Sequence, residues 1–455
     1  MKSNYSMSND VMPLARLALP LALTGLIQSA TWFFETIFLA HVSEETLAAG
    51  ALVSWLFATL LVVLLGTLSS INILVARKHG AKDDEGIARI ARDGILLAML
   101  LVIPFLFLFW NMSPIFYFFG QSEAVVALAR LYLHALSWGL LANFIALACL
   151  EVILGIGHAR VIFWFSAFEV LLNVVCSYTL IFGKFGFPAM GIAGAGWGLT
   201  VSYTGTLIAL SVYIATSKKY RHYFRHVLTF VKPTYLLELF QVGLPMGVMF
   251  SVEVAFFFAL TLAMGVLGTK TQAANQVAVQ YLGLMMSMIF AMAQAITVRM
   301  GHLIGAQDVN AAEKAGDIGI LMSVGFMFII AIIYWLCSSK MIGVAFDLNN
   351  PDNASVINEL RKFLAITAVF QIVESARISL FGVLRSLKDT RFTLLTSIIS
   401  FWGIALPIGY LLAAKLQFGG GGYWWAMVIG ASVSVVMLRW RFKKQISAFY
   451  HAESV

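Results

Sequence analysis

The chain has 455 residues, 60% hydrophobic and 11% charged, with a mean hydropathy of +0.88. Those proportions exclude an ordinary soluble domain. The net charge of +8 falls between apolar runs, where anionic lipid accounts for it and nucleic acid need not be invoked.

Residues 1–9 are polar, carry only Lys2 and show no cleavable signal pattern, so the first apolar run is expected to stay as an anchor. Twelve runs follow, near 12–39, 46–73, 92–112, 124–154, 161–183, 190–216, 236–266, 274–298, 314–338, 357–384, 392–414 and 420–439. Each spans about 30 Å of hydrocarbon as a helix, at about 1.5 Å per residue. With loops this short only helices satisfy so many backbone groups in lipid, and the ten-residue alternation of a barrel is missing.

The seventh run opens at Gly243-Leu244-Pro245 and is interrupted by one carboxylate, Glu253, which in lipid calls for a protein interior, a cavity or a partner. The run also has an earlier copy. At an offset of 225 residues Ala18-Leu19-Pro20 lies on Gly243-Leu244-Pro245, and Gly80-Ala81-Lys82-Asp83 on Gly305-Ala306-Gln307-Asp308. Later the offset becomes 231, pairing Gly157-His158-Ala159-Arg160 with Lys388-Asp389-Thr390-Arg391, with six extra residues near 347–354. The expected fold class is therefore an all-α polytopic membrane protein, twelve transmembrane helices in two pseudo-symmetric six-helix bundles. The expected domains are an N-terminal lobe at 1–216, a cytoplasmic linker at 217–235, partly along the membrane at 220–230, and a C-terminal lobe at 236–455.

Charge sets the orientation. With both termini cytoplasmic, the inner loops and C-terminal tail hold twenty Lys and Arg. The outer loops hold Lys184, Lys270, Lys340 and Lys415, or seven in all with Arg130, Arg361 and Lys362 counted. That bias predicts a multi-pass protein of a bacterial-type cytoplasmic membrane, N-in and C-in. Arg299 and Arg385 read as anchors at cytoplasmic helix ends. Cys149, Cys176 and Cys337 are odd in number, lack metal spacing and read as core residues. No GxxxxGK[ST] loop is present to cradle ATP phosphates. Gly191-Ile192-Ala193-Gly194-Ala195-Gly196 lacks the strand and acid of a dinucleotide site and reads as small residues that let helices approach.

Phe33-Phe34-Glu35-Thr36, Gly243-Leu244-Pro245 with Glu253, Ala273-Ala274-Asn275-Gln276-Val277-Ala278, the stretch from Val298-Arg299-Met300 to Gly305, and Leu387-Lys388-Asp389-Thr390-Arg391 together resemble the MATE family of multidrug and toxin extruders, its NorM branch in particular. Phe182-Gly183-Lys184-Phe185-Gly186-Phe187-Pro188 resembles the family's fifth-to-sixth span connection. The resemblance covers nearly the whole chain. It implies two lobes around a V-shaped cavity and export of small organic cations against inward H⁺ or Na⁺, without cofactor or enzymatic chemistry, by a monomer in the bilayer.

Carried over by motif, the family's acidic positions are Glu35, Glu253 and Glu374. Here the first and third are Glu where Asp is common, and Asn173 is followed by Ser177 where many members have Asp. At the repeat offsets Glu253 pairs with Gln28, Glu35 with Leu260 and Glu374 with Asn143, so the fold itself does not demand acids there. Arg377, one turn beyond Glu374, is placed to neutralise it. Glu151 reads as a structural partner of Arg160, and Glu169 stays open between structure and function. The residues expected to line the cavity are Gln28, Trp32, Asn143, Phe256, Phe257 and Tyr281, whose aromatic faces suit a flat cation.

Three readings follow. A drug antiporter is preferred. A lipid-precursor flippase of the related polytopic class needs several cavity arginines, and Arg377 is the one mid-span candidate. A polytopic enzyme needs His or Asp clusters at a span end. As coupling ion, H⁺ needs one carboxylate in an apolar setting, as Glu253 is among Phe256, Phe257 and Phe258. Na⁺ needs converging oxygens, with Glu253, Glu374, Gln276, Ser251 and Tyr281 as candidates.

Overall fold

A computed structural model of the chain describes residues 8–227, 229 and 232–453. Twelve of its helices are long and apolar enough to cross a bilayer: α1 Asp10–Ala40, α2 Glu44–Gly80, α3 Asp84–Trp110, α4 Glu123–Gly155, α5 Ala159–Phe182, α6 Ile192–Thr216, α7 Leu236–Leu267, α8 Thr269–Gly305, α9 Val309–Ala345, α10 Pro351–Ser386, α11 Thr390–Lys415 and α12 Gly420–Tyr450. No strand occurs among the described residues. Several helices outrun their apolar runs, as α3 does through Asp84, Glu85 and Arg89 and α12 beyond Arg439. Apolar length measures the hydrocarbon, whereas the backbone ladder continues into amphipathic turns.

The repeat is written into the backbone. Lys82, Gly157, Gln307 and Lys388 all take left-handed conformations, with φ of 57°, 95°, 61° and 62°. Each stands two residues past the end of its helix, directly after the C-cap residue, and the residue beyond it donates back into the last turn: Asp83 N to Lys78 O, His158 N to Ile153 O, Asp308 N to Leu303 O, Asp389 N to Leu384 O. Asp83 and Asp308 then cap the next helix by accepting from Gly86 N and Ala311 N. Packing repeats as well. The two most buried spans, α4 and α10, pack in matching ways, α4 against α2, α3 and α6 and α10 against α8, α9 and α12.

The chain forms two compact units. One is Leu23–Leu244; the other is Pro245–Val455 together with Met1–Ala22. Their limits fall beside Pro20 and at Pro245, two prolines inside helices that the repeat places in register.

In the first unit the glycine stretch of α6 packs as its small residues suggest. A Cβ on Gly194 would stand 2.6 Å from Ile181 N, and one on Gly196 2.6 Å from Tyr132 O. Within 220–230 the structure has a short 3₁₀ turn at Arg221–Phe224; Leu228 and Phe230 lie outside the described residues. Charged contacts fasten the segment, alongside the buried rings of Tyr220 and Tyr223. Arg225 and His226 reach Glu85, and Thr234 N and Tyr235 N donate to the buried Asp93 at 2.7 and 2.6 Å while Arg92 pairs with its other oxygen at 2.8 Å. Asp93→Ala strands those donors beside a buried guanidinium. A loss of about 3–5 kcal/mol is expected by thermal unfolding in detergent, and a loss below about 1 kcal/mol would show the linker is not fastened there.

In the second unit one of the two expected membrane-edge anchors, Arg385, is an interior residue. Arg299 Nε donates to Asp10 at 2.8 Å, and Asp10 is fully buried. Arg385 is 4% exposed, its guanidinium 5.1 Å from the centre of the Phe250 ring. Both lie near helix ends; packing encloses Arg385, whereas Arg299 keeps part of its side chain exposed. Half of α11 is π-helical, over Ile398–Ala405 and Leu411–Lys415. Pro407 lacks an N–H and crowds the preceding turn, which favours the wider winding just before it. The three cysteines are free thiols.

Candidate functional site

In the second unit Glu374 and Arg377 stand three residues apart on α10 and so share a face, while Glu253 comes from α7 and Ser397 from the start of α11. Arg377 Nε donates to Glu374 Oε2 at 2.8 Å, and Nη2 bonds the other oxygen of the same carboxylate. Nη1 donates to Glu253 Oε1 at 2.8 Å and to Ser397 Oγ at 3.3 Å, and Ser397 donates to Glu253 at 2.8 Å. Phe381 and Phe401 hold their ring centres 4.6 and 4.7 Å from the guanidinium carbon. Arg377 and Glu374 are 1% exposed and Glu253 is 7% exposed. Two carboxylates and one guanidinium leave the cluster one negative charge.

The other oxygens proposed for this half point elsewhere. Ser251 donates to Gly247 O at 3.1 Å, the Tyr281 hydroxyl donates to Met341 O at 2.8 Å, and Gln276 is exposed. Phe256 is buried against Phe401, ring centres 4.8 Å apart, within the core of the unit, and Phe257 packs on that core.

In the first unit Glu35 on α1 is 2% exposed and accepts a short hydrogen bond from the Tyr132 hydroxyl of α4. Nearby residues enclose a cavity of about 120 Å³ whose wall includes Gln28, Trp32, Asn143, Glu169, Asn173 and Tyr203. Four residues expected at the cavity or coupling site, Gln28, Trp32, Asn143 and Asn173, thus share one wall, and Glu169 supplies its carboxylate. Glu35 and Ser177 are not on that wall; Ser177 accepts from Asn173 Nδ2 at 3.3 Å. Glu151 accepts from Asn72 at 2.5 Å.

Sequence reasoning missed Tyr132, Tyr203 and Ser397. Each is an uncharged residue in an apolar run, and nothing local marks it. Only the polarity of a tyrosine or serine facing a fully packed interior signals them.

The MatE family profile matches residues 20–179 and 245–411, a stretch that holds Glu35, Glu253 and Glu374. The chain belongs to the MATE family. The resemblance drawn from the quoted phrases is borne out. The multidrug resistance protein NorM of Burkholderia vietnamiensis is 32% identical over 450 residues, 98% of this MATE chain and 96% of its own length. A probable multidrug resistance protein NorM of Brucella suis is 31% identical over 440 residues, 95% of this chain and 92% of its own length. The crystal structure of the eukaryotic MATE transporter AtDTX14 superposes with a TM-score of 0.83 at 18% identity, covering 98% of this chain and 99% of that one. An outward-facing multidrug resistance MATE transporter superposes at 0.85 with 19% identity, covering 96% of both. At such identity the structures speak for the fold, and the all-α twelve-helix class stands as the MATE fold.

Proposed function

We propose that this MATE protein is a secondary antiporter of the bacterial cytoplasmic membrane, exporting amphipathic organic cations in exchange for H⁺. The observation that carries the reading is Glu35, an intramembrane carboxylate held by a single neutral donor, in the unit that also holds a cavity with Glu169 on its wall. A carboxyl bonded to a tyrosine hydroxyl and not to a guanidinium is free to exchange a proton or to face a cation in turn. Antiport requires that drug and ion stabilise different states of one protein, and a shared negative site links them most simply. The NorM relatives carry multidrug resistance in their names, which fits cationic drugs as the cargo. The flippase reading loses its support, because the arginine it would use for phosphate is bonded to two carboxylates.

The test is dye efflux from proteoliposomes with pH and Na⁺ gradients imposed separately. Efflux driven by the pH gradient alone is expected; efflux that only Na⁺ drives would sink the H⁺ reading. Burial, with nearby Lys219, pushes the His158 imidazole down to about 4, so a response near neutrality does not come from that loop. Orientation rests on the loop bias. In a cysteine-free background, a cysteine at Arg221 is expected to label only from the cytoplasm and one at Asn349 only from outside; both side chains are exposed. Reversed labelling would overturn N-in, C-in.

A further inference from the structure

We infer that Arg377 is a tethered counter-ion filling the cation position between Glu253 and Glu374, so that these two carboxylates take up no free metal cation. The inference rests on the antiporter reading above and assigns the ion-handling of that reading to the other unit.

The guanidinium uses Nε, Nη1 and Nη2 on the two carboxylates, in the fork geometry that suits a carboxylate edge. Ser397, the nearest extra oxygen, already donates to Glu253. The rings of Phe381 and Phe401 lie close against the guanidinium. A sodium ion needs several oxygens converging on one point, and the point where these converge is occupied by nitrogen. To enter, it would have to evict a side chain that stays charged at any physiological pH and is 1% exposed. An uncompensated buried charge is the costliest outcome such a site offers.

The repeat supplies an independent argument. The first-half equivalents of Glu253 and Glu374 are Gln28 and Asn143, and the equivalent of Arg377, at the same offset as Glu374, is Ala146. All three charges are absent together where the fold is repeated. The arginine therefore accompanies the acids and is not a demand of helix packing. Its long side chain does what a dissolved ion would otherwise do, and it cannot leave.

The experiment is saturable binding of ²²Na⁺ to the purified full-length protein, with K⁺ holding ionic strength constant. Wild type is expected to show no saturable signal that Glu253→Gln removes. Arg377→Gln restores a second negative charge to the pair and is expected to bind at least ~10-fold more Na⁺ than wild type, with the gain lost in Arg377→Gln/Glu374→Gln. Wild-type binding abolished by Glu253→Gln overturns the inference. So does an Arg377→Gln protein that elutes as a single folded species and gains nothing. If Arg377→Gln does not fold, the wild-type comparison with Glu253→Gln still decides. Wild-type binding that only Glu35→Gln removes would uphold the role of Arg377 and sink the H⁺ reading instead. Binding is read without transport, so a failure of efflux leaves this result intact.

Discussion

Replacing Glu374 with glutamine alone is expected to destabilise the protein by about 3–5 kcal/mol, and adding Arg377→Gln is expected to recover most of that loss. Glu374 accepts two of the guanidinium's bonds, so its removal leaves a buried charge held only by Glu253 and Ser397. The double variant removes the guanidinium together with that partner and leaves two amides of similar volume, while the remaining Glu253 carboxyl keeps the Ser397 hydroxyl and neutralises by taking up a proton. Glu253→Gln should cost less, because the bidentate contact to Glu374 survives. The four proteins form a double-mutant cycle, read by thermal unfolding in one detergent. Equal losses in the single Glu374 and double variants would mean that Arg377 is stable without its carboxylates and that the cluster carries little coupling.

The second large effect is on transport. Glu35→Gln is expected to bring proton-driven dye efflux in vesicles down to the leak rate while the protein still inserts and unfolds cooperatively. Glutamine keeps an oxygen for the Tyr132 hydroxyl, so the fold loses only the excess strength of a charged hydrogen bond, on the order of 1 kcal/mol. What it cannot do is titrate. Tyr132→Phe is expected to do the reverse, retaining efflux through a carboxyl that still titrates, at about 1.5–3 kcal/mol of stability. Pumping at the wild-type rate in Glu35→Gln would move the proton site to Glu169, the carboxylate on the cavity wall.

The span count, the tandem repeat and the acidic positions were legible in the sequence, because each leaves a local mark: an apolar run, a matching phrase, a carboxylate in hydrocarbon. Glu374 and Arg377 were readable as neighbours for the same reason, being three residues apart on one helix. The bond from Arg377 to Glu253, 124 residues away, and the bond from Tyr132 to Glu35, 97 residues away, depend on which helices meet, and no local pattern encodes that. Gln276 and Tyr281 show the same limit from the other side. Both sit near the right depth of α8, yet rotation about the helix leaves Gln276 exposed and sends the Tyr281 hydroxyl to Met341. Arg385 was assigned by depth alone, and depth does not reveal whether a neighbouring helix or water lies beside a side chain.

The four left-handed turns bear on how such a chain can be recombined. Lys82, Gln307 and Lys388 accept a backbone conformation that glycine, as at Gly157, takes without strain, at a cost on the order of 1–2 kcal/mol each. Long polar side chains are kept there regardless, with Lys82 and Gln307 exposed while the backbone doubles back. Because all four turns share a conformation and a pattern of backbone bonds, a hairpin excised at one ends in the directions another receives. The joints are therefore interchangeable parts, and what makes one half different from the other is carried by the helix interiors between them.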